Sequence, residues 1–74
     1  MVSIYVAEPM EFIGIVRSGV WKGFPCKRLY VRECNTEFLF FYVDNNGERI
    51  LIIPHRVLEV CEKAVCKAVK KLMN

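Results

Sequence analysis

Glu37-Phe38-Leu39-Phe40-Phe41-Tyr42-Val43, the link Asp44-Asn45-Asn46-Gly47, and Arg49-Ile50-Leu51-Ile52-Ile53-Pro54 together decide the fold. Asn-Gly between two apolar runs of strand length is the strongest short-range hairpin signal. A two-residue type I′ turn needs positive φ at both central positions, and Asn and Gly accept it at least cost. With Asn46-Gly47 as the loop, Asn45 opposes Glu48, Asp44 opposes Arg49, Tyr42 opposes Leu51 and Phe40 opposes Ile53. Pro54 closes the returning strand and can open a helix, because a first helical turn leaves its missing N–H unbonded anyway.

Downstream, Val57, Leu58, Cys61, Ala64, Val65, Ala68 and Leu72 recur at helical spacing, with Arg56, Glu59, Lys63, Lys67 and Lys70 on the other side. Lys67, Lys70 and Lys71 complement the negative end of that helix. Upstream, Lys27 to Cys34 alternates as a strand, with Leu29 and Val31 facing one way and Arg28, Tyr30 and Arg32 the other. Taking Asn35-Thr36 as a second tight turn, Cys34 opposes Glu37, Arg32 opposes Leu39 and Tyr30 opposes Phe41. Phe12 to Arg17 reads as another strand, its Gly14 marking a bulge or a close backbone approach. Ser3 to Ala7 reads as a short strand ended by Pro9, and Ser18 to Pro25 as a loop. The expectation is an α+β fold over residues 1–74 as a single domain. It is an antiparallel β-meander of four to five strands followed by one C-terminal helix, ββββα.

The faces of that sheet raise a question of cover. One collects Leu29, Val31, Phe38, Phe40, Tyr42, Leu51 and Ile53; the second collects Arg28, Tyr30, Arg32, Leu39, Phe41, Val43, Ile50 and Ile52. One helix covers one face, and the face without arginines is the cheaper to bury. Leu39, Phe41, Val43, Ile50 and Ile52 are then left as a homodimer interface. The composition agrees, since 54% hydrophobic residues is high for a 74-residue chain that buries only about 60% of its unfolded surface.

Charge and cysteines bound the rest. A net charge of +3 is mildly basic, which is compatible with a polyanion partner. The start lacks a basic signal-peptide region and no apolar run nears the roughly 20 residues of a membrane helix, so a cytoplasmic location with no membrane partner is expected. Cys26, Cys34, Cys61 and Cys66 contain no CxxC pair, and His55 is the one histidine. They read as small buried hydrophobes, with no metal site. Cys26 with Cys34 is the first disulfide to check, and the absence of glutamine is a weak hint of a hot habitat.

The chemistry-bearing residues cluster between Arg17 and Arg32. Trp21-Lys22-Gly23-Phe24 sets aromatics beside a cation, and Lys27, Arg28, Tyr30 and Arg32 continue the pattern along a strand. Single-stranded nucleic-acid binders use cations against phosphates and flat rings under unpaired bases. Plainer readings stand beside this one: Trp21 and Phe24 as cover for the end of the core, and Arg28 and Arg32 as solvated edge charges. His55 has no second histidine, activated serine or paired carboxylate beside it, so no enzyme and no small-molecule substrate are expected. Gly19 and Gly23 fit no phosphate-binding loop, so no cofactor is expected either.

Ile13-Gly14 with the Trp21-Lys22 loop, the strand Lys27 to Arg32, and the passage from Gly47 to Leu58 together resemble the positive cofactor four family of transcriptional coactivators. The resemblance runs from about Phe12 to Leu72. It implies a curved four-stranded antiparallel sheet, one C-terminal helix, a dimer, and binding of single-stranded DNA. It also implies nucleic-acid contacts at Arg17, Trp21, Lys22, Lys27, Arg28, Tyr30 and Arg32; Phe24 joins them from the residue reading. Pur-type repeats and whirly-like proteins are similar in layout and also bind single strands. The functional expectation is a small homodimer that binds single-stranded nucleic acid, DNA rather than RNA. The alternative is a protein-interaction or oligomerisation module.

Overall fold

The computed structural model describes residues 1–33, 35–60 and 62–73, and of Glu33 and Val60 the backbone alone. The expected strand Ser3 to Ala7 is present as β1, Val2–Ala7. Phe12 to Arg17 is not a strand: it lies within helix α1, Pro9–Ser18. Three local signals explain the helix. Pro9 at its first position has φ preset for a helix, and the Phe12 N–H donates to the Glu8 carbonyl at 2.8 Å. Phe12, Ile15 and Val16 follow the i, i+3, i+4 spacing and pack on the sheet. Gly19 stops the helix at φ 69, its N–H returning to the Ile15 carbonyl at 2.7 Å. Gly14 is therefore neither a bulge nor a close approach; a side chain there would meet nothing within 4 Å.

The expected loop from Ser18 to Pro25 is a miniature hairpin, β2 (Val20–Trp21) and β3 (Phe24–Pro25). Lys22 and Gly23 form its turn with φ 47 and 84, the positive pair that a type I′ turn requires. The meander follows as β4 (Lys27–Glu33), β5 (Thr36–Asn45) and β6 (Glu48–Pro54). The β5–β6 register is the expected one through Asn45↔Glu48, Asp44↔Arg49 and Tyr42↔Leu51. The β4–β5 register differs by two residues, pairing Glu33 with Thr36, Arg32 with Glu37 and Tyr30 with Leu39. The left-handed residue is Asn35 at φ 58, which moves the turn back by one position. A slip of two preserves every face, because side chains alternate with period two.

The four-stranded sheet runs β1-β6-β5-β4, antiparallel except that β1 lies parallel to β6. The chain then enters the C-terminal helical region, α2 (His55–Val60) and α3 (Glu62–Met73), on either side of Cys61, which lies outside the described residues. Together they bury the face without arginines: Val31, Phe38, Phe40, Leu51 and Ile53 pack with Val57, Ala64, Val65, Ala68 and Leu72. The Arg49 guanidinium donates to the Leu72 carbonyl, tying the end of α3 to the start of β6.

The second face is not open. Phe41, Val43 and Ile52 are buried with Ala7, Ile15 and Trp21, and Leu39 and Ile50 pack at the margin of the same cluster. The five residues expected at a dimer interface therefore lie under α1 and the β2–β3 hairpin of their own chain. Each large apolar side chain so covered contributes about 1.5–3 kcal/mol, which a helix over that face secures without a second subunit. Among the described residues, no helix is long and apolar enough to cross a membrane.

Candidate nucleic-acid interface

The expected contact residues divide into an inner and an outer set. Trp21 belongs to the inner set. The turn at Lys22-Gly23 folds its indole onto the α1 face of the sheet, leaving it 9% exposed. Its ring stands 4.9 Å from that of Tyr5 at 55°, and Lys22 Nζ lies over both rings, 4.6 Å from Trp21 and 5.4 Å from Tyr5. Such a cation is held by the negative ring faces. The Trp21 Nε1–H is buried with no acceptor among the described residues. Trp21 thus covers the end of the core, one of the two roles its sequence context allowed.

Tyr5 and Glu11 complete this corner, and neither is singled out by any motif. The Tyr5 hydroxyl donates to the Glu11 carboxylate at 3.0–3.1 Å. That bond, then burial and the charges of Glu11 and Glu8, push the phenol above the ordinary tyrosine range. The one sequence signal was Tyr5 alternating inward within Ser3 to Ala7. What could not be read was the neighbouring helix that supplies Glu11.

The outer set lies on β4, an edge of the sheet. Arg28, Tyr30 and Arg32 share the face that carries Phe41 and Leu39 on β5, and all three are exposed. Tyr30 is 52% exposed. At about 3.3 Å per residue, Arg28 and Arg32 stand roughly 13 Å apart along the strand with the phenol between them. Arg32 Nε lies 3.8 Å from Glu37 Oε1 with 84% of its side chain accessible, an exposed pair worth no more than about 1 kcal/mol. It therefore leaves the guanidinium available to a phosphate.

The remaining residues frame this strip unequally. Arg17 is exposed in the last turn of α1, where it also complements the helix dipole. Phe24 is partly exposed on the hairpin, opposite Trp21. Lys27 is exposed at the start of β4 but pairs with Tyr42 and alternates onto the α3 side. The arrangement offers cations and a ring to a flexible anion.

His55 opens α2 with Nδ1 3.5 Å from Glu59 Oε1, one turn along. Cys26 and Cys66 are free thiols, and burial pushes the Cys26 thiol up. Cys34, the other half of the disulfide considered above, lies outside the described residues, as does Cys61. No family model, curated protein or solved structure matches this chain.

Proposed function

We propose that this chain binds single-stranded nucleic acid, DNA in preference to RNA, as a homodimer. Arg28 and Arg32 take the phosphates and Tyr30 takes a stacked base. The observation that carries this reading is the half-exposed Tyr30 ring between two exposed arginines on one face of an edge strand. Cations at the backbone and an accessible ring are what sequence-tolerant single-strand binding requires. Lys22, Arg17 and Phe24 extend the surface around the hairpin, Lys27 adds charge from the adjoining side, and Trp21 holds the hairpin in place. In its Lys27 to Arg32 stretch the resemblance to the positive cofactor four family favours DNA as the ligand and a role in transcription. Its Ile13-Gly14 stretch lies in α1 rather than on a strand, and β1 runs parallel to β6, so the resemblance lends nothing beyond β4 and the passage into α2.

Titration of a labelled single-stranded oligonucleotide, read by fluorescence anisotropy at low salt, tests the proposal. Saturable binding that weakens as salt rises is expected. A folded protein that leaves the anisotropy unchanged at low salt refutes it.

A second reading, a protein-interaction module without nucleic-acid binding, draws on exposed apolar side chains at Met10, Ile13, Val20 and Phe24. It gains if the titration fails while the chain still associates.

A further inference from the structure

We propose that β1 is the seam between two copies of this chain, paired strand to strand and antiparallel, so that two four-stranded sheets become one. This names the contact for the homodimer in the reading above and does not depend on nucleic acid.

The two edges of the sheet are built differently. β4 carries Lys27, Arg28, Arg32 and Glu33, so two copies meeting antiparallel about Tyr30 would set Arg28 of each against Arg32 of the other, opposing like charges in two places. β1, Val2–Ala7, contains no charged residue and no proline. Its pairing with β6 runs unbroken from Val2↔Arg49 to Ala7↔Pro54, without a bulge. Charge, proline and bulges are the devices that keep an edge from pairing, and β1 has none of them. Bonded to β6 on one side only, it presents the outward half of its N–H and C=O groups as a row that another strand can satisfy.

The occupant is a second copy because the strand is complementary to itself. An isologous contact centred on Ile4 sets Ile4 against its counterpart, Val2 against Val6, and Ser3 against Tyr5, with no charged pair along the row. Ile4 is 49% exposed although it sits in line with buried Leu51, and the pairing covers it. The rim is complementary in charge as well. Ser3 Oγ donates to Glu48 at 3.3 Å, while Lys22 lies over the Tyr5 ring. Pairing Ser3 of one copy with Tyr5 of the other brings the Glu48 carboxylate to the side of the Lys22 ammonium. The Ile4–Ile4 and Val2–Val6 pairs are β-branched, a type that stabilises antiparallel ladders.

Sedimentation of the full chain over a wide concentration series, without nucleic acid, tests the seam alone. A monomer–dimer equilibrium is expected. Ile4→Lys, which sets two ammonium groups against each other at the symmetric point, should weaken it on the order of a hundredfold. A chain that stays monomeric throughout, or a dimer that folded Ile4→Lys leaves unchanged, overturns the proposal. If circular dichroism shows Ile4→Lys unfolded, amide exchange of the unmutated chain decides. Exchange at Ser3 to Val6 that slows with concentration supports the seam; slowing elsewhere, or none, overturns it.

Discussion

Replacing Tyr30 by alanine removes a ring that is 52% exposed and belongs to neither core cluster, so stability should change by no more than about 0.5 kcal/mol. The effect on binding should be much larger. A base stacked on an aromatic side chain contributes about 1–3 kcal/mol, which predicts an affinity loss of roughly 5- to 150-fold. The loss should not depend on salt, because stacking releases no counterion. Arg28→Ala and Arg32→Ala should behave in the opposite way. Each removes one phosphate contact and should lower the slope of log affinity against log salt by about 0.7. The Glu37 carboxylate 3.8 Å from Arg32 changes this little, since both side chains are solvated. Anisotropy titrations at several salt concentrations separate the two effects, and thermal melts confirm the fold. Should folded Tyr30→Ala bind as tightly as the unmutated chain, or should losing both arginines leave the slope untouched, β4 is not the binding strip.

Three further outcomes follow from the layering of the fold. Phe12 on α1 meets Phe41 on β5 edge-on at 5.7 Å, so a double-mutant cycle with leucine at both sites, read by urea denaturation, should give a coupling of about 0.5–1.5 kcal/mol. Zero coupling would remove α1 from the second face of the sheet. Gly19→Ala should destabilise by about 1–2 kcal/mol in the same assay, because φ 69 is left-handed while the space around it is open; a neutral result would mean the helix does not end there. Tyr5 has its folded pKa raised by the bond to Glu11, so its contribution is fully present below the unfolded tyrosine value near 10 and is lost as pH rises through the higher folded value. Stability should therefore fall with alkaline pH across that interval, and Tyr5→Phe should flatten the fall.

The hairpin was legible because Asn46-Gly47 admits one economical turn, and the C-terminal helical region because its apolar spacing is sustained over many residues. The two sheet faces were legible for a sturdier reason. The β4–β5 register slipped by two, and an even slip cannot exchange faces. Phe12 to Arg17 misled because Ile13, Ile15 and Val16 favour strands by propensity, and six residues are too few for periodicity to outvote it. The decisive marks lay just outside, in Pro9 and Gly19, which were read as the end of one strand and as part of a loop. That single substitution of helix for strand also changed the site. With α1 in place, Leu39, Phe41, Val43, Ile50 and Ile52 acquired cover within the chain, and Trp21 acquired Tyr5 and Lys22 as neighbours. The exposed character of Arg28, Tyr30 and Arg32 was legible, since strict alternation opposite Leu29 and Val31 left them nowhere else to point.

Trp21 is the one tryptophan in the chain, and it sits where the hairpin, α1 and the sheet converge. Its emission is therefore a built-in gauge of whether that corner is closed. While Tyr5 and Lys22 keep water from the indole, the spectrum should lie at short wavelength; any opening of the hairpin should move it to the red. Compared with a far-ultraviolet signal that averages over every helix and strand, this gives the protein two optical channels. Their divergence during heating would reveal a corner that loosens before the sheet does.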